Sequence, residues 1–250
     1  MENKKLIVDI GNTSTKILVF DGDEILVAER CENNSNQILT ALNKLFETYA
    51  SCSGILSTVL SEDQALNALL KNKTTHFIQL SNETELPISI VYETPKTLGN
   101  DRIAGVAGAH NIFPKDNVLV VDIGTAITYD FIDAQGQYLG GNIAPGIRLR
   151  FESLHYFTSK LPLVSASETY SAIGTSTETA IRSGVLMGIL YEIEGYIHHY
   201  QSKYSSLKVI LTGGDAFYFV EKLKNTIFAV PNLVPIGLNS ILSYYNEKIV

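Results

Sequence analysis

Two segments of the chain place an aspartate at the end of an apolar run and a glycine two residues later. In LIVDIGNTST, Asp9 precedes Gly11, and in LVVDIGTAIT, Asp122 precedes Gly124. A glycine at such a turn lets backbone N–H groups approach an anion closely, and the neighbouring hydroxyls add donors. A carboxylate beside a bound phosphate can hold its cation. The pattern therefore indicates a polyphosphate site with a metal ion, although either copy alone could be a strand end with an Asx turn.

A third acidic position, Asp101, is followed directly by Arg102 in the stretch YETPKTLGNDRIAGVAGA. Phosphoryl transfer needs an in-line geometry, charge neutralisation and a group that accepts the proton of the attacking hydroxyl. Asp101 could be that general base, and the Arg102 guanidinium could hold the carboxylate of an acidic substrate. On these residues alone another interpretation stays open, in which Asn100 or Asp101 only caps a helix and Arg102 is a solvated first-turn residue.

The two Asp-Gly segments are copies of one another. Residues 6–15 align on residues 119–128 with identities at Leu, Val, Asp, Ile, Gly and the final Thr, and each copy continues into a second strand and an Asp/Gly turn. A spacing of 113 residues is too long for a solenoid repeat. We therefore predict two homologous domains that meet near Lys115, covering residues 1–115 and 116–250.

Hydrophobic periodicity and turn residues predict alternating strands and helices, which favours an α/β architecture with mixed sheets. The predicted strands are 6–9, 15–20, 24–28, 54–59, 77–80, 88–92, 119–122, 129–132, 208–212 and 227–230. The predicted helices are 38–49, 64–70, 101–113, 148–161, 177–204, a segment from Asp215 and a terminal segment after Gly237. Two capping boxes are predicted, Ser61 with Gln64 and Thr175 with Glu178, and LGGNIAPG (139–146) is predicted as a glycine-rich loop.

Composition excludes several classes of protein. With 250 residues, 45% hydrophobic and 18% charged, the chain is typical of a soluble globular protein. A net charge of -7 argues against nucleic acid as the main partner. Charges, Gly or Asn interrupt every apolar run well before the length of a membrane span, and the N-terminus does not look like a secretory signal. Cys31 and Cys52 are too few for a disulfide framework or a zinc site, so we expect two reduced thiols in a cytoplasmic protein.

The ordinary phosphate fingerprints, GxxxxGK[ST] and GxGxxG after a strand, are missing from the sequence. Instead, the two repeats resemble the phosphate-1 and phosphate-2 motifs of the acetate and sugar kinase, Hsp70 and actin superfamily. VILTGGDAF (209–217) resembles that superfamily's adenosine motif. Across the whole chain, DIGNTSTK, LGNDR, DIGTAITYD, LGGNIAPG and TGGDA resemble, in order, the type III pantothenate kinases. The LGNDR element upstream of DIGTA distinguishes that family from other kinases of the superfamily.

The resemblance implies two tandem ribonuclease H-like domains of the actin-like ATPase superfamily, with a nucleotide cleft between them. It also implies ATP-dependent phosphorylation of pantothenate, the first step of coenzyme A synthesis, by a homodimer. Asp101 would be the general base. Pantothenate would contact Tyr92, Gly99, Asn100, Asp101, Arg102 and Thr177. ATP would contact Asp9, Ile10, Gly11, Asn12, Thr13, Ser14, Thr15, Lys16 and Thr125. Asp122 would ligate a monovalent cation, K⁺ or NH₄⁺, and Asp9 would hold Mg²⁺ through water, a task that Asp130 could share.

Two matters stay open at this stage. The apolar stripe Ile181, Val185, Ile189, Ile193 and Ile197, with Gly184 and Gly188 nearby, fits helix pairing across a dimer and burial within one subunit equally well. The rival functions are a different small-molecule kinase of the same superfamily and a non-catalytic regulatory relative. The acidic residues at 9, 101 and 122 count against the second, and the sequence has no basic patch for a transcriptional role.

Overall fold

The computed structural model describes residues 4–249. Contacts divide them into two units: unit 1 consists of the residues up to Ile112 together with those from Leu233 onward, and unit 2 consists of Phe113–Asn232. Both are α/β, as predicted. The predicted absence of a secretory signal concerns residues 1–3 as well, and these lie outside the described residues. Within residues 4–249, no helix is both long and apolar enough to cross a membrane. Both cysteines are free thiols.

Unit 1 contains a five-stranded mixed sheet with the order β3-β2-β1-β4-β5. β1 to β3 form an antiparallel meander, whereas β4 and β5 run parallel to β1. The strands of this sheet are β1 (Lys4–Ile10), β2 (Thr15–Asp21), β3 (Glu24–Cys31), β4 (Cys52–Thr58) and β5 (Phe77–Gln79). Unit 1 also contains the two-residue strand β6 (Ser89–Ile90), which is not part of this sheet. Its helices are α1 (Ser35–Thr48), α2 (Gln64–Lys73), a 3₁₀ turn Pro95–Thr97, α3 (Asn100–Ile112) and α7 (Leu233–Ile249).

The two faces of this sheet are covered by different helices. Leu6, Val8 and Ile10 pack with apolar residues of α1 and α2 in one core. The alternate residues of β1 face the other way, since the Lys5 ammonium donates to Ser243 Oγ on α7 at 2.5 Å. Asp9 follows the same alternation, so it lies on the face covered by α7 and not on the face covered by α1 and α2.

The terminal helix α7 belongs to unit 1 and packs closely on α3. A Cβ on Gly237 would overlap the Ala104 carbonyl oxygen, and one on Gly108 would lie 3.0 Å from the Gly237 nitrogen. Only glycine permits such an approach of two helix backbones. The prediction that residues 116–250 form one domain is therefore wrong for α7, because a packing partner over a hundred residues away leaves no signal in a local pattern.

Unit 2 contains β7 (Asn117–Ile123), β8 (Ala126–Ile132), β9 (Gln137–Pro145), β10 (Leu207–Thr212) and β11 (Phe228–Ala229), which pair in the order β11-β10-β7-β8-β9. Its helices are α4 (Ile147–Tyr156), α5 (Thr177–Lys203) and the single turn α6 (Phe217–Val220). The apolar stripe of α5 is buried against β7 and β10. Of the two interpretations of that stripe, burial within the subunit is the one confirmed.

Segment 139–146 is a correction to the sequence analysis: it forms most of strand β9 rather than a loop. Gly140 adopts φ +115°, and a Cβ on Gly141 would lie 2.6 Å from Asp130 Oδ1 and 2.9 Å from the Asp130 Cα. The glycines therefore allow β8 and β9 to approach at a bulge, where the register shifts between Phe131 and Ile132. Glycine density alone could not distinguish this from a loop.

Both predicted capping boxes are also wrong. Helix α2 is capped by Asp63, whose Oδ1 accepts the N–H groups of Ala65 and Leu66 at 3.0 and 3.1 Å. Helix α5 has a capping box one residue later than predicted, between Ser176 and Thr179. In each case the residue nearest the first helical turn provides the cap, because it alone reaches the N–H groups of the N2 and N3 positions.

Candidate active site

The β1–β2 hairpin of unit 1 carries the first Asp-Gly motif. Asp9 and Lys16 are directly opposite one another across the two strands, and so share one face of the sheet. Between them the chain turns tightly, with the Gly11 N–H donating to the Ser14 carbonyl at 3.2 Å. Asn12 and Thr13 at the tip are exposed. The hairpin therefore presents a carboxylate, an ammonium and a short exposed loop together.

The pKa of Asp9 is raised to about 6, mainly by burial and also by the negative charge of Asp101, although Lys16 and a hydrogen bond from Ser57 act to lower it. Ser57 lies level with Asp9 on the parallel neighbour β4, and its side chain is buried. A cation that binds beside such a buried carboxyl stabilises its ionised form, because the cation replaces the hydration lost on burial.

The N-terminus of α3 brings the predicted substrate residues of unit 1 to the same face. Asp101 is exposed, and its Oδ1 accepts the Arg102 N–H at 2.9 Å. Arg102 is only 7% exposed, and its guanidinium lies 5.8 Å from the centre of the Tyr92 ring. A buried guanidinium against an aromatic ring is not a solvated first-turn residue, so the alternative interpretation of Arg102 is wrong.

Two neighbouring residues hold this helix start in place. The Asn100 amide donates to the Leu80 carbonyl at 3.1 Å, which ties α3 to the end of β5. The Gly99 carbonyl accepts the Ile103 N–H at 3.1 Å and opens the helix. Asn100, predicted to contact pantothenate, thus has a structural hydrogen bond of its own.

The β7–β8 hairpin of unit 2 carries the second motif with a tighter turn. The Gly124 N–H donates to the Ala126 carbonyl at 3.0 Å, one residue earlier than in the first hairpin. Consequently Asp122 lies opposite Thr128, whereas Asp9 lies opposite Lys16. The two threonines that ended the sequence alignment are therefore not structural equivalents, because the turn of the second copy is one residue shorter.

Glycines from two other segments pack against this second hairpin. Gly213, at φ +96°, follows β10, and a Cβ there would lie 2.5 Å from Asp122 Oδ1. The Asp215 N–H donates to the Ile123 carbonyl, and the Gly146 N–H donates to the Thr125 carbonyl. The predicted phosphate-2 and adenosine motifs thus meet at one edge of the unit 2 sheet.

Three other residues that the sequence analysis assigned to the site are described by their burial and hydrogen bonds. Thr15 is fully buried, and its hydroxyl donates to Asn33 Oδ1 at 2.9 Å, so its side chain supports the hairpin from the face of α1 and α2. Asp130 is buried and accepts the Tyr138 hydroxyl at 2.6 Å. Thr177 is exposed at the first position of α5 in unit 2.

Sequence reasoning missed Ser57 and Asn33. Ser57 matters only because β4 pairs with β1 in one particular register, and Asn33 only because the chain after β3 returns to the first hairpin. Neither position carries a local signal. The strand pairing that gives them their partners joins segments whose registers the sequence does not specify.

The acidic residues fit a cation that is bound together with a substrate. Within residues 4–249, no three Asp, Glu, His or Cys side chains form a cluster able to hold a metal alone. Mg²⁺ commonly takes one or two carboxylates and fills its remaining positions with phosphate oxygens and water. Asp9, whose carboxylate interacts with that of Asp101, matches this donor set.

A sequence model of the family described as type III pantothenate kinase matches residues 5–199. A type III pantothenate kinase of Phocaeicola vulgatus is 48% identical over 244 residues, which cover 98% of this chain and 99% of the relative. The chain belongs to the type III pantothenate kinase family.

Solved structures agree with this placement at the level of fold. A Campylobacter jejuni protein described as a Baf family transcriptional activator superposes with a TM-score of 0.62 at 24% identity, covering 97% of this chain and 99% of that one. MreB5 of Spiroplasma citri, bound to ADP, gives a TM-score of 0.52 at 10% identity, covering 99% and 98%. The fold of this pantothenate kinase family member is thus that of actin-like ATPases, as predicted.

Proposed function

We propose that this protein transfers the γ-phosphoryl group of ATP to the 4′-hydroxyl of pantothenate, which is the first step of coenzyme A synthesis. The observation that carries the proposal is in unit 1. Asp101 and the buried Arg102 lie at the start of α3, and the Asp101 carboxylate interacts with Asp9 of the first hairpin. Family membership supplies the substrate. Support from the geometry is that unit 1 holds a carboxylate for the proposed base, a second carboxylate for the proposed cation and a short exposed loop for the phosphates.

In the proposed reaction, the pantothenate hydroxyl attacks the γ-phosphorus and forms a new P–O bond. The bond from the γ-phosphorus to the β–γ bridging oxygen breaks, and ADP leaves. Asp101 accepts the hydroxyl proton, a role that the exposure of its side chain supports. Arg102 pairs with the pantothenate carboxylate, and Tyr92 keeps the guanidinium oriented through the ring contact.

The phosphate hairpins supply the contacts for ATP. In unit 1, backbone N–H groups of residues 11–14 and the Lys16 ammonium would bind phosphate oxygens, and Asp9 would hold Mg²⁺ through water. In unit 2, Thr125 would add a hydroxyl donor, and Asp122 would ligate K⁺ or NH₄⁺. When bound, the cations neutralise the charge that builds on the phosphate oxygens.

The proposal includes a homodimer in the cytoplasm, where ATP for coenzyme A synthesis is available. Support for the dimer comes from the outer side of α5. A Cβ on Gly184, Gly188 or Gly195 would meet no atom within 4 Å, and Tyr191 is 59% exposed. These four residues form the outer stripe of α5, which is distinct from its buried apolar stripe. A smooth helical stripe with one large exposed ring suits close packing of a second helix.

A coupled ATP-consumption assay with pantothenate, run with and without K⁺, tests the activity. We expect turnover with pantothenate and lower turnover when Na⁺ replaces K⁺. A parallel screen with sugars and short carboxylates as acceptors distinguishes this reaction from that of another superfamily kinase. ATP consumption with an acceptor other than pantothenate, and none with pantothenate, would contradict the proposal. Equal turnover with K⁺ and Na⁺ would contradict the proposed role of Asp122 but not the proposed reaction.

A further inference from the structure

The first phosphate hairpin is held from behind by the segment that joins β3 to α1. The Asn33 side-chain amide donates from Nδ2 to the Gly11 carbonyl at 2.7 Å and accepts the Thr15 hydroxyl on Oδ1 at 2.9 Å. One amide thus joins both ends of the loop 11–15. Nearby, Arg30 Nε donates to Ser14 Oγ at 2.9 Å.

These contacts lie on the opposite side of the sheet from Asp9. Thr15 lies directly opposite Ile10 across the hairpin, and Ile10 packs in the core formed with α1 and α2. Residues opposite one another on paired strands share a face. Asn33 therefore pulls the Gly11 carbonyl toward the face of α1 and α2, while Asp9 and Lys16 lie on the other face.

The direction of that carbonyl decides where the next N–H points. The peptide bond between Gly11 and Asn12 is trans, so the Gly11 C=O and the Asn12 N–H are antiparallel within one rigid plane. With the carbonyl fixed toward Asn33, the Asn12 N–H points toward the face of Asp9 and Lys16. That is the direction from which a phosphate would accept it.

We propose that Asn33 is a positioning residue, which aims the Asn12 N–H of the phosphate hairpin at ATP without touching the nucleotide. This inference rests on the proposed role of the hairpin in binding ATP phosphates. The chemistry requires an amide: the Gly11 carbonyl can only accept, and the Thr15 hydroxyl needs an acceptor, so both ends of the side chain are used. A cavity of about 460 Å³ borders Asn33 and Ile10. Removal of the amide would therefore let water enter and would leave the loop 11–15 less firmly held.

The test compares nucleotide binding in Asn33→Ala and in Asn33→Asp, which keeps the side-chain volume but loses the donor. Calorimetry is performed with a non-hydrolysable ATP analogue and, separately, with adenosine, and KM is measured for ATP and for pantothenate. We expect both variants to bind the ATP analogue about tenfold more weakly than the wild type, which is the effect of one lost orienting hydrogen bond. Adenosine affinity and the pantothenate KM should stay within about twofold of the wild-type values.

The matched control is Asn34→Ala, next in sequence. Asn34 caps α1 by accepting the Gln37 N–H at 3.2 Å, and its backbone hydrogen bonds join it to Glu32 and Ile38 rather than to the hairpin, so its loss should lower Tm while leaving ATP affinity unchanged. A double-mutant comparison uses Thr15: Thr15→Val should weaken ATP affinity, and its effect should not add fully to that of Asn33→Ala.

Unchanged affinity of the Asn33 variants for the ATP analogue would overturn the proposal, as would an equal loss for adenosine. A loss of ATP affinity in Asn34→Ala as large as in Asn33→Ala would also overturn it, because helix stability would then be the cause. The proposed function fails separately, if the wild-type protein binds ATP but does not phosphorylate pantothenate.

Discussion

At the scale of single residues, Asp101 and Asp9 are two carboxylates with different surroundings. Asp101 is exposed at the start of α3, whereas Asp9 is held beside Lys16 and the buried Ser57. The difference fits a division of work in which Asp101 exchanges a proton with solvent-borne substrate and Asp9 stays next to a cation. It also allows the two roles to be tested one at a time.

Replacement of Asp101 by Asn should remove the proton acceptor and keep the shape of the site. We expect kcat to fall by about 10²- to 10⁴-fold, the usual contribution of a general base, with nearly unchanged affinity for ATP. Steady-state kinetics and nucleotide-binding calorimetry check this. As a control, Glu83→Gln changes an exposed carboxylate in the loop after β5 and should leave kcat unaltered. Retention of more than about a tenth of the wild-type kcat in Asp101→Asn would exclude it as the base.

Ionisation of Asp9 should lower the stability of the protein without magnesium and nucleotide. The pKa of this carboxyl rises from 3.8 to about 6 on folding, so the folded state binds the proton more tightly than the unfolded state does. This loss of unfolding free energy is absent below about pH 4 and grows as the pH rises toward 6. Above that pH it is constant, at up to about 3 kcal/mol.

Asp9→Asn, which cannot ionise, should therefore raise Tm at pH 8 and leave it close to that of the wild type at pH 4. Thermal melts in a chelating buffer across this range measure the difference. The same substitution should abolish turnover, since the proposed contact of Asp9 with Mg²⁺ is lost. A Tm difference that does not change with pH would show that the carboxyl is not strained by its burial. Glu62→Gln, at an exposed position before α2, is the control.

At the scale of elements, the start of α3 is placed by its packing on α7. The contact depends on glycine at Gly108 and Gly237, where the two backbones approach too closely for a Cβ. Small residues run along the buried length of α3, so the helix has a smooth surface rather than an apolar stripe. The position of Asp101 and Arg102 is thus a consequence of a close helix crossing further along the same helix.

Gly237→Ala should push α3 and α7 apart, because its Cβ would lie 2.7 Å from the Ala104 carbonyl carbon and 2.8 Å from the Gly108 nitrogen. We expect a loss of about 1–3 kcal/mol of stability, as for other overpacked sites, together with a lower kcat. Chemical denaturation measures the first effect. Gly105→Ala on α3 is the matched control: its Cβ meets no atom within 4 Å, so it should be neutral or stabilise by up to about 1 kcal/mol. Equal effects of the two substitutions would contradict the close crossing.

Local patterns in the sequence predicted most elements but few of their partners. The duplicated LIVDIG and LVVDIG segments predicted two hairpins, and both are present because apolar runs and Gly turns act over a few residues. Strand β9 was predicted as a loop, since the need for Gly141 arises from the approach of Asp130 on a neighbouring strand. The hydrogen bonds of Thr15 and Asn100 depend on register and on tertiary contacts, which single-sequence patterns do not carry.

At the scale of the whole molecule, the outer stripe of α5 should mediate the proposed homodimer. Gly188→Arg places a long charged side chain where the subunit leaves open space, so the fold of unit 2 should tolerate it while a second helix should not. We expect analytical ultracentrifugation to show a dimer for the wild-type protein and a monomer for the variant. Asn43→Arg on the exposed side of α1 adds the same charge and should remain dimeric. A dimer that persists in Gly188→Arg would place the interface elsewhere.

The return of α7 to unit 1 has a consequence for how the protein is made. Strand β1 is synthesised before unit 2, yet the helix that covers its Lys5 and Asp9 face is synthesised after unit 2. Unit 2, being one continuous stretch of chain, can acquire its structure during translation, whereas unit 1 cannot be completed until the chain beyond unit 2 has been synthesised. A stop codon shortly before Leu233 would therefore yield a product whose earliest strands are intact in sequence but lack their cover.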